Sequence, residues 1–90
     1  MQRKFKLGQT LATISVLDLC RTGVDLGPLF DRHRSGDWGD VDEEQAARNE
    51  DGLINAGPIK SVYHPLGRRV WIVTAGDRSQ TVVSLPHEDE

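Results

Sequence analysis

Cysteine is almost missing from this chain: Cys20 stands alone. One thiol closes no intrachain disulfide and builds no Cys-based zinc site, and it fits a reducing, intracellular setting. Long apolar runs are missing too. No stretch approaches the roughly 18 to 20 residues that a membrane span needs. The opening MQRKFKLGQ has basic residues with no apolar run behind them, which argues against a signal peptide. A glycine-rich phosphate loop, HExxH and GxSxG are all absent. There is no repeat, linker or low-complexity segment. The expectation is a soluble cytoplasmic protein with no cofactor and no metal. It reads as one domain over residues 1–86 with a frayed acidic tail at 87–90. A domain this small buries a modest core and is marginally stable unless something helps it.

Charge is present but unevenly spread. Residues 37–51 hold seven acids against one base, Arg48, and the tail Glu88, Asp89, Glu90 adds three more. The remainder is net positive, although the chain as a whole carries −3. Such a split can steer a charged partner. Acids also gather where a helix begins, and that explains the same residues more simply.

The hydrophobic pattern changes along the chain. Residues 4–13, KFKLGQTLAT, begin with a period of two and read as a strand bent at Gly8. Ser15 is placed to cap a helix of about two turns that closes at Gly23. Asp25 can cap a second helix with Pro28 in its first turn and Leu26, Leu29, Phe30 and His33 on one side; Gly36 ends it. Asp40 can cap a third, with Glu43 at the capping-box position, three acids in the first turn and Gly57 at the close. Gly52 weakens its interior. From Pro58 onward IKSVYH, RRVWIVTA and SQTVVSLP are β-branched and aromatic. HPLG and AGDRS separate them as turns. The predicted class is α+β: an N-terminal strand, three short helices and a three-stranded antiparallel meander, with the helices packed on the sheet. The first strand can join as a fourth. The middle strand is apolar on both faces, so it is expected to be central and covered on both sides, one side by a partner chain. A homodimer fits that expectation.

Two clusters are candidate sites. SGDWGD, residues 35–40, joins helices two and three. Its glycines loosen the backbone, Asp40 caps, and Trp38 can plug the sheet. Asp37 is left without a role beyond a local turn. Taken as ligands, Asp37, Asp40, Asp42 and Glu43 lack the spacing and distal glutamate of an EF-hand. DRSQT, residues 77–81, places Asp77, Arg78, Ser79 and Thr81 on a loop, either as a turn or as an anion-holding group. His33 reads as a core or boundary residue, with Asp37 as a possible acid–base partner. Arg3, Lys4, Lys6, Arg68 and Arg69, with Tyr63 and Trp71, are the residues a nucleic acid would use, but the acidic balance argues against that partner.

RHRSGDWGDVDEEQAARNEDGL (residues 32–53) and IKSVYHPLGRRVWIVTAGDRSQTVVSLP (59–86) together resemble a family of small proteins carried on plasmids, integrative elements and phages, usually labelled plasmid-related or hypothetical. The shared pattern is RH-x-SGDWGD, an acidic helix with an asparagine, S-x-Y, W-I-x-T and DRS-x-T; the opening LGQTLAT is also similar. This chain departs from it at Ala75-Gly76, where an acid is expected, and in its HEDE ending. The resemblance marks as shared His33, Ser35, Gly36, Asp37, Trp38, Gly39, Asp40, Asn49, Tyr63, Trp71, Asp77, Arg78, Ser79 and Thr81. It implies a compact single domain in a mobile-element setting, and no settled catalytic role. The functional expectation is a non-enzymatic accessory protein that binds a host defence or regulatory protein. The SGDWGD turn, Asp42 and Glu43 would lie in its contact surface. The alternatives are a small enzyme or ligand-binding domain around Asp37 and Arg78, and a nucleic-acid-binding regulator.

Overall fold

The computed structural model describes residues 3–86. The expected acidic tail, His87 included, lies outside the described residues. Four strands and three helices run in the order β1 (Gln9–Ala12), α1 (Ile14–Arg21), α2 (Gly27–Arg34), α3 (Glu43–Asn55), β2 (Ile59–Tyr63), β3 (Val70–Thr74) and β4 (Gln80–Ser84). The class is α+β. The sheet has the order β1-β4-β3-β2 and is mixed. β2, β3 and β4 form the antiparallel meander, and β1 adds to β4 in parallel, with Gln9 opposite Gln80 and Ala12 opposite Val83.

The strand predicted over 4–13 is shorter, because β4 has nothing to pair with before Gln80. Upstream of that residue its chain turns away. Lys4 instead donates its N–H to the Arg34 carbonyl at the end of α2. Gly8, at φ +67°, sits so close to the Arg78–Ser79 backbone that a Cβ would lie 2.3 Å from the Arg78 oxygen.

Two helix starts also differ. The α1 cap is Thr13, whose hydroxyl accepts from the Val16 N–H at 3.3 Å, rather than Ser15. The α3 cap is Asp42, accepting from Gln45 N–H at 2.7 Å, rather than Asp40. Asp40 precedes the helix and is still tied to β2: its N–H donates to the Val62 carbonyl. In α2, Pro28 stands in the first turn as expected, and Asp25 accepts from Gly27 N–H one residue ahead of the cap position. α3 ends at Ala56 in a left-handed conformation, not at Gly57. Gly52 is a packing residue, since a Cβ there would come within 2.9 Å of Ile59 Cδ1.

Alternation divides the sheet into two faces. Val70, Ile72, Val83 and Tyr63 form the core with Val16 and Leu19 of α1, Leu29 of α2, and Val24 and Leu85. Trp71, Val73 and Val82 point to the opposite face and are half-buried, and Leu11 there is 40 % exposed. β3 is therefore internal, but only one of its faces is buried. α3 packs along β2 instead of across that second face.

Candidate functional site

SGDWGD closes one edge of the sheet. Gly39 forms a parallel bridge with Val62 of β2. Val62 donates its N–H to the Trp38 carbonyl at 3.0 Å and accepts from the Asp40 N–H at 2.8 Å. Only glycine fits between: a Cβ at Gly39 would lie 2.1 Å from the Val62 oxygen, and φ is +70°. One rung further along β2, the carboxamide of Asn49 takes over. Its Oδ1 accepts from Lys60 N–H at 3.0 Å and its Nδ2 donates to the Lys60 carbonyl at 2.7 Å. A side chain thus replaces a strand, and the outward groups of β2 are satisfied.

Asp37 holds this loop in place. Arg32 of α2 donates from Nε to Oδ2 at 2.7 Å and from Nη2 to Oδ1 at 3.3 Å, and Gly39 N–H adds a bond to Oδ1 at 3.2 Å. The Arg32 hydrogen bond, aided by that amide, lowers the Asp37 pKa. The same guanidinium lies 4.5 Å from the centroid of the Tyr63 ring. The Tyr63 hydroxyl donates to the Asp37 carbonyl at 2.5 Å, and burial pushes its pKa up to about 12. Trp38 is buried; its indole N–H donates to Glu50 at 3.0 Å, and its ring meets those of Phe5 and His33. Asp40 pairs with His64 Nδ1 at 2.7 Å.

His33 is fully buried at the centre of a polar chain that crosses beneath the sheet. The chain fixes its own proton order. The Leu7 carbonyl only accepts, so the Thr81 hydroxyl donates to it at 2.6 Å. Thr81 must then accept from the Thr74 hydroxyl at 2.7 Å, and Thr74 from His33 Nε2–H at 2.8 Å. Nδ1 is left bare and accepts from the Ser61 hydroxyl at 2.5 Å. The ring is a neutral Nε2–H tautomer. Burial, and secondarily the charge of Arg78, lowers its pKa to about 4.

The DRSQT stretch is similarly occupied by the fold. Asp77 accepts from Ser79 N–H, and hydrogen bonding by Ser79 lowers its pKa. Arg78, at φ +61°, donates to the carbonyls of Gly57, Ala75 and Gly52 at 2.7, 3.2 and 2.9 Å. Its cation therefore sits over the C-terminal end of α3, where the helix dipole is negative. The Ser79 carbonyl accepts from Gln9 N–H.

The expected residues thus fall into separate groups. Asp37 faces Arg32 and Asp40 faces His64, and neither acid meets His33. Arg3 and Lys4 border one hollow with Lys6 and Arg34, while Arg69 borders another. That second hollow, of about 270 Å³, lies between the start of α3 and the half-exposed sheet face. Asp40, Asp42 and Arg48 line it, with Trp71 at its base and the Lys60 ammonium 3.5 Å from the Trp71 ring centroid. Glu43 is exposed beside it. No group of three or more His, Cys, Asp or Glu side chains among the described residues is arranged to hold a metal ion, and no helix among them is long and apolar enough to cross a membrane.

Sequence reasoning missed Arg32, Glu50, Lys60, Ser61 and Thr74 as members of these clusters. Ser61 and Thr74 had a signal: each alternates with apolar neighbours on an inward face, and a buried hydroxyl needs a partner. Arg32 had none, because its geometry exists only once the loop is folded. No protein-family model, curated protein or solved structure matches the chain.

Proposed function

We propose that this chain is a non-enzymatic binding protein of a mobile genetic element that engages a host defence or regulatory protein. Its contact surface is the half-exposed sheet face around Trp71 together with the acidic start of α3. The observation that supports this reading is the Trp71 hollow. A half-buried tryptophan shares a hollow with both signs of charge, including the exposed Asp42, and the exposed Glu43 follows Asp42 at the start of α3. Tryptophan is the residue most enriched at the centre of interfaces, and charges at the rim set rate and specificity. The mobile-element setting comes from the motif resemblance. A catalytic or ligand site around Asp37 and Arg78 has less support, since Arg32 engages the one and three carbonyls engage the other.

The test is capture from host lysate, identification of the captured protein, and titration of the two purified proteins. The expected result is a stoichiometric complex that weakens with salt and with Glu43→Lys, and is lost with Trp71→Ala in chains that remain folded by circular dichroism. Asp42 is left intact in this test because it caps α3. Capture that ignores both substitutions, or the absence of a titratable partner, overturns the reading.

A further inference from the structure

The second edge of the sheet has the opposite character. β1 is the outer strand, and only β4 pairs with it. Gln9 and Thr13 give their N–H groups to the Ser79 and Val83 carbonyls on the β4 side. Alternation along the strand then turns the N–H and C=O groups of Thr10 and Ala12 outward. Thr10 is exposed. No side chain such as Asn49, and no bridge such as Gly39, covers this edge among the described residues.

The segment leading into β1 is strongly basic. A hollow of about 600 Å³ lies between it and the end of α2, bordered by Arg3, Lys4, Lys6, Arg34 and Phe5, and it reaches Thr10 on the open edge. Arg34 pairs with Asp31, while Arg3, Lys4 and Lys6 have no acidic partner among the described residues. Among the described residues, an open strand edge and three cations without an acidic partner therefore form one continuous surface.

We propose that this edge is a docking site for an extended acidic segment of another protein, which adds to the sheet beside β1 and places its carboxylates against Arg3, Lys4 and Lys6. Two features select this occupant. The cations require negative charge. The alternating outward donors and acceptors at Thr10 and Ala12 match a peptide backbone and not a phosphate backbone, which has no N–H to give to the outward carbonyls. The site is distinct from the Trp71 surface, since no residue lining the Trp71 hollow borders this one.

The probe is a short fluorescein-labelled peptide with alternating threonine and valine followed by a run of glutamates, titrated by fluorescence anisotropy against the full chain. A matched peptide N-methylated at alternate residues lacks the strand donors, and an oligothymidylate of similar charge serves as the nucleic-acid probe. Thr10→Pro removes an outward N–H without taking a bond from the β4 ladder. The expected result is salt-sensitive binding of the acidic peptide, weakened roughly tenfold or more by Lys4→Glu with Lys6→Glu, by Thr10→Pro and by N-methylation. Equal binding of the plain and N-methylated peptides reduces the site to a simple polyanion attraction and overturns strand addition, whether or not the Thr10→Pro chain folds. Tighter binding of the oligothymidylate, self-association through the same edge, or no binding of the acidic peptide also overturns it.

Discussion

The two edges of this sheet solve the same problem in opposite ways. At β2 the outward backbone groups of Lys60 and Val62 are met by the Asn49 carboxamide and by the Trp38–Asp40 backbone. At β1 the outward groups of Thr10 and Ala12 have no such cover among the described residues, and Thr10 borders a basic hollow. Edges left open invite pairing with other chains, and proteins usually blunt them with charge or brevity or cover them. Here β2 is covered, while β1 is kept to four residues and preceded by Lys4 and Lys6. The contrast gives SGDWGD its role. Its two glycines, its tryptophan and Asp37 together hold a pseudo-strand against β2.

The largest effect is expected from breaking the closed edge at its tightest point. Gly39→Ala places a Cβ where the Val62 oxygen stands and asks alanine for a left-handed conformation. The expected cost is at least about 3 kcal/mol in urea denaturation. A loss under about 1 kcal/mol would mean that the bridge is dispensable.

The polar chain through His33 spans the distance between the edges, from Ser61 on β2 to Leu7 beside β1. His33 has a folded pKa near 4 against an ordinary value of 6.5. Between those values the unfolded chain binds a proton that the folded chain does not. Stability is therefore complete above about pH 6.5, falls as pH drops toward 4, and loses up to about 3 kcal/mol in that window. Denaturation at pH 7 and pH 5 measures the slope, and a His33→Gln chain is expected to lack it. A flat profile in the parent between those pH values would contradict the buried neutral ring.

A smaller loss tests the side-chain rung. Asn49→Leu leaves both the N–H and the C=O of Lys60 unpaired beside a packed helix. The expected cost is about 2 kcal/mol, read as a lowered urea midpoint. Thr10→Pro on the open edge is the counterpart. It is expected to change stability by less than about 0.5 kcal/mol, because the amide it removes has no partner among the described residues. Similar costs for Asn49→Leu and Thr10→Pro would erase the contrast between the edges.

Much of the fold was legible because each element carried its own local pattern. The meander followed from β-branched runs between HPLG and AGDRS, and the helices from their spacing and terminal residues. What stayed hidden depended on partners distant in sequence. Asp40 looked like a cap because nothing local reveals that its N–H is held by the Val62 carbonyl. Phe5 and Leu7 alternated like a strand, yet β4 offers them no ladder. The loop role of SGDWGD was legible, and so was the buried character of His33. Asp37 was not, since its meaning rests on Arg32 and on the Tyr63 hydroxyl. For Arg78 the sequence left a turn and an anion-holding group both open, because the Gly52 and Gly57 carbonyls it engages lie more than twenty residues away.

Backbone hydrogen exchange followed residue by residue by NMR tests the central claim most directly. The asymmetry predicts slow exchange at Lys60 and Val62, comparable to Ile72 in the core, and fast exchange at Thr10 and Ala12. Fast exchange at Lys60 and Val62, or protection of Thr10 and Ala12 in the isolated chain, would contradict a sheet closed by SGDWGD and Asn49 on one side and open on the other.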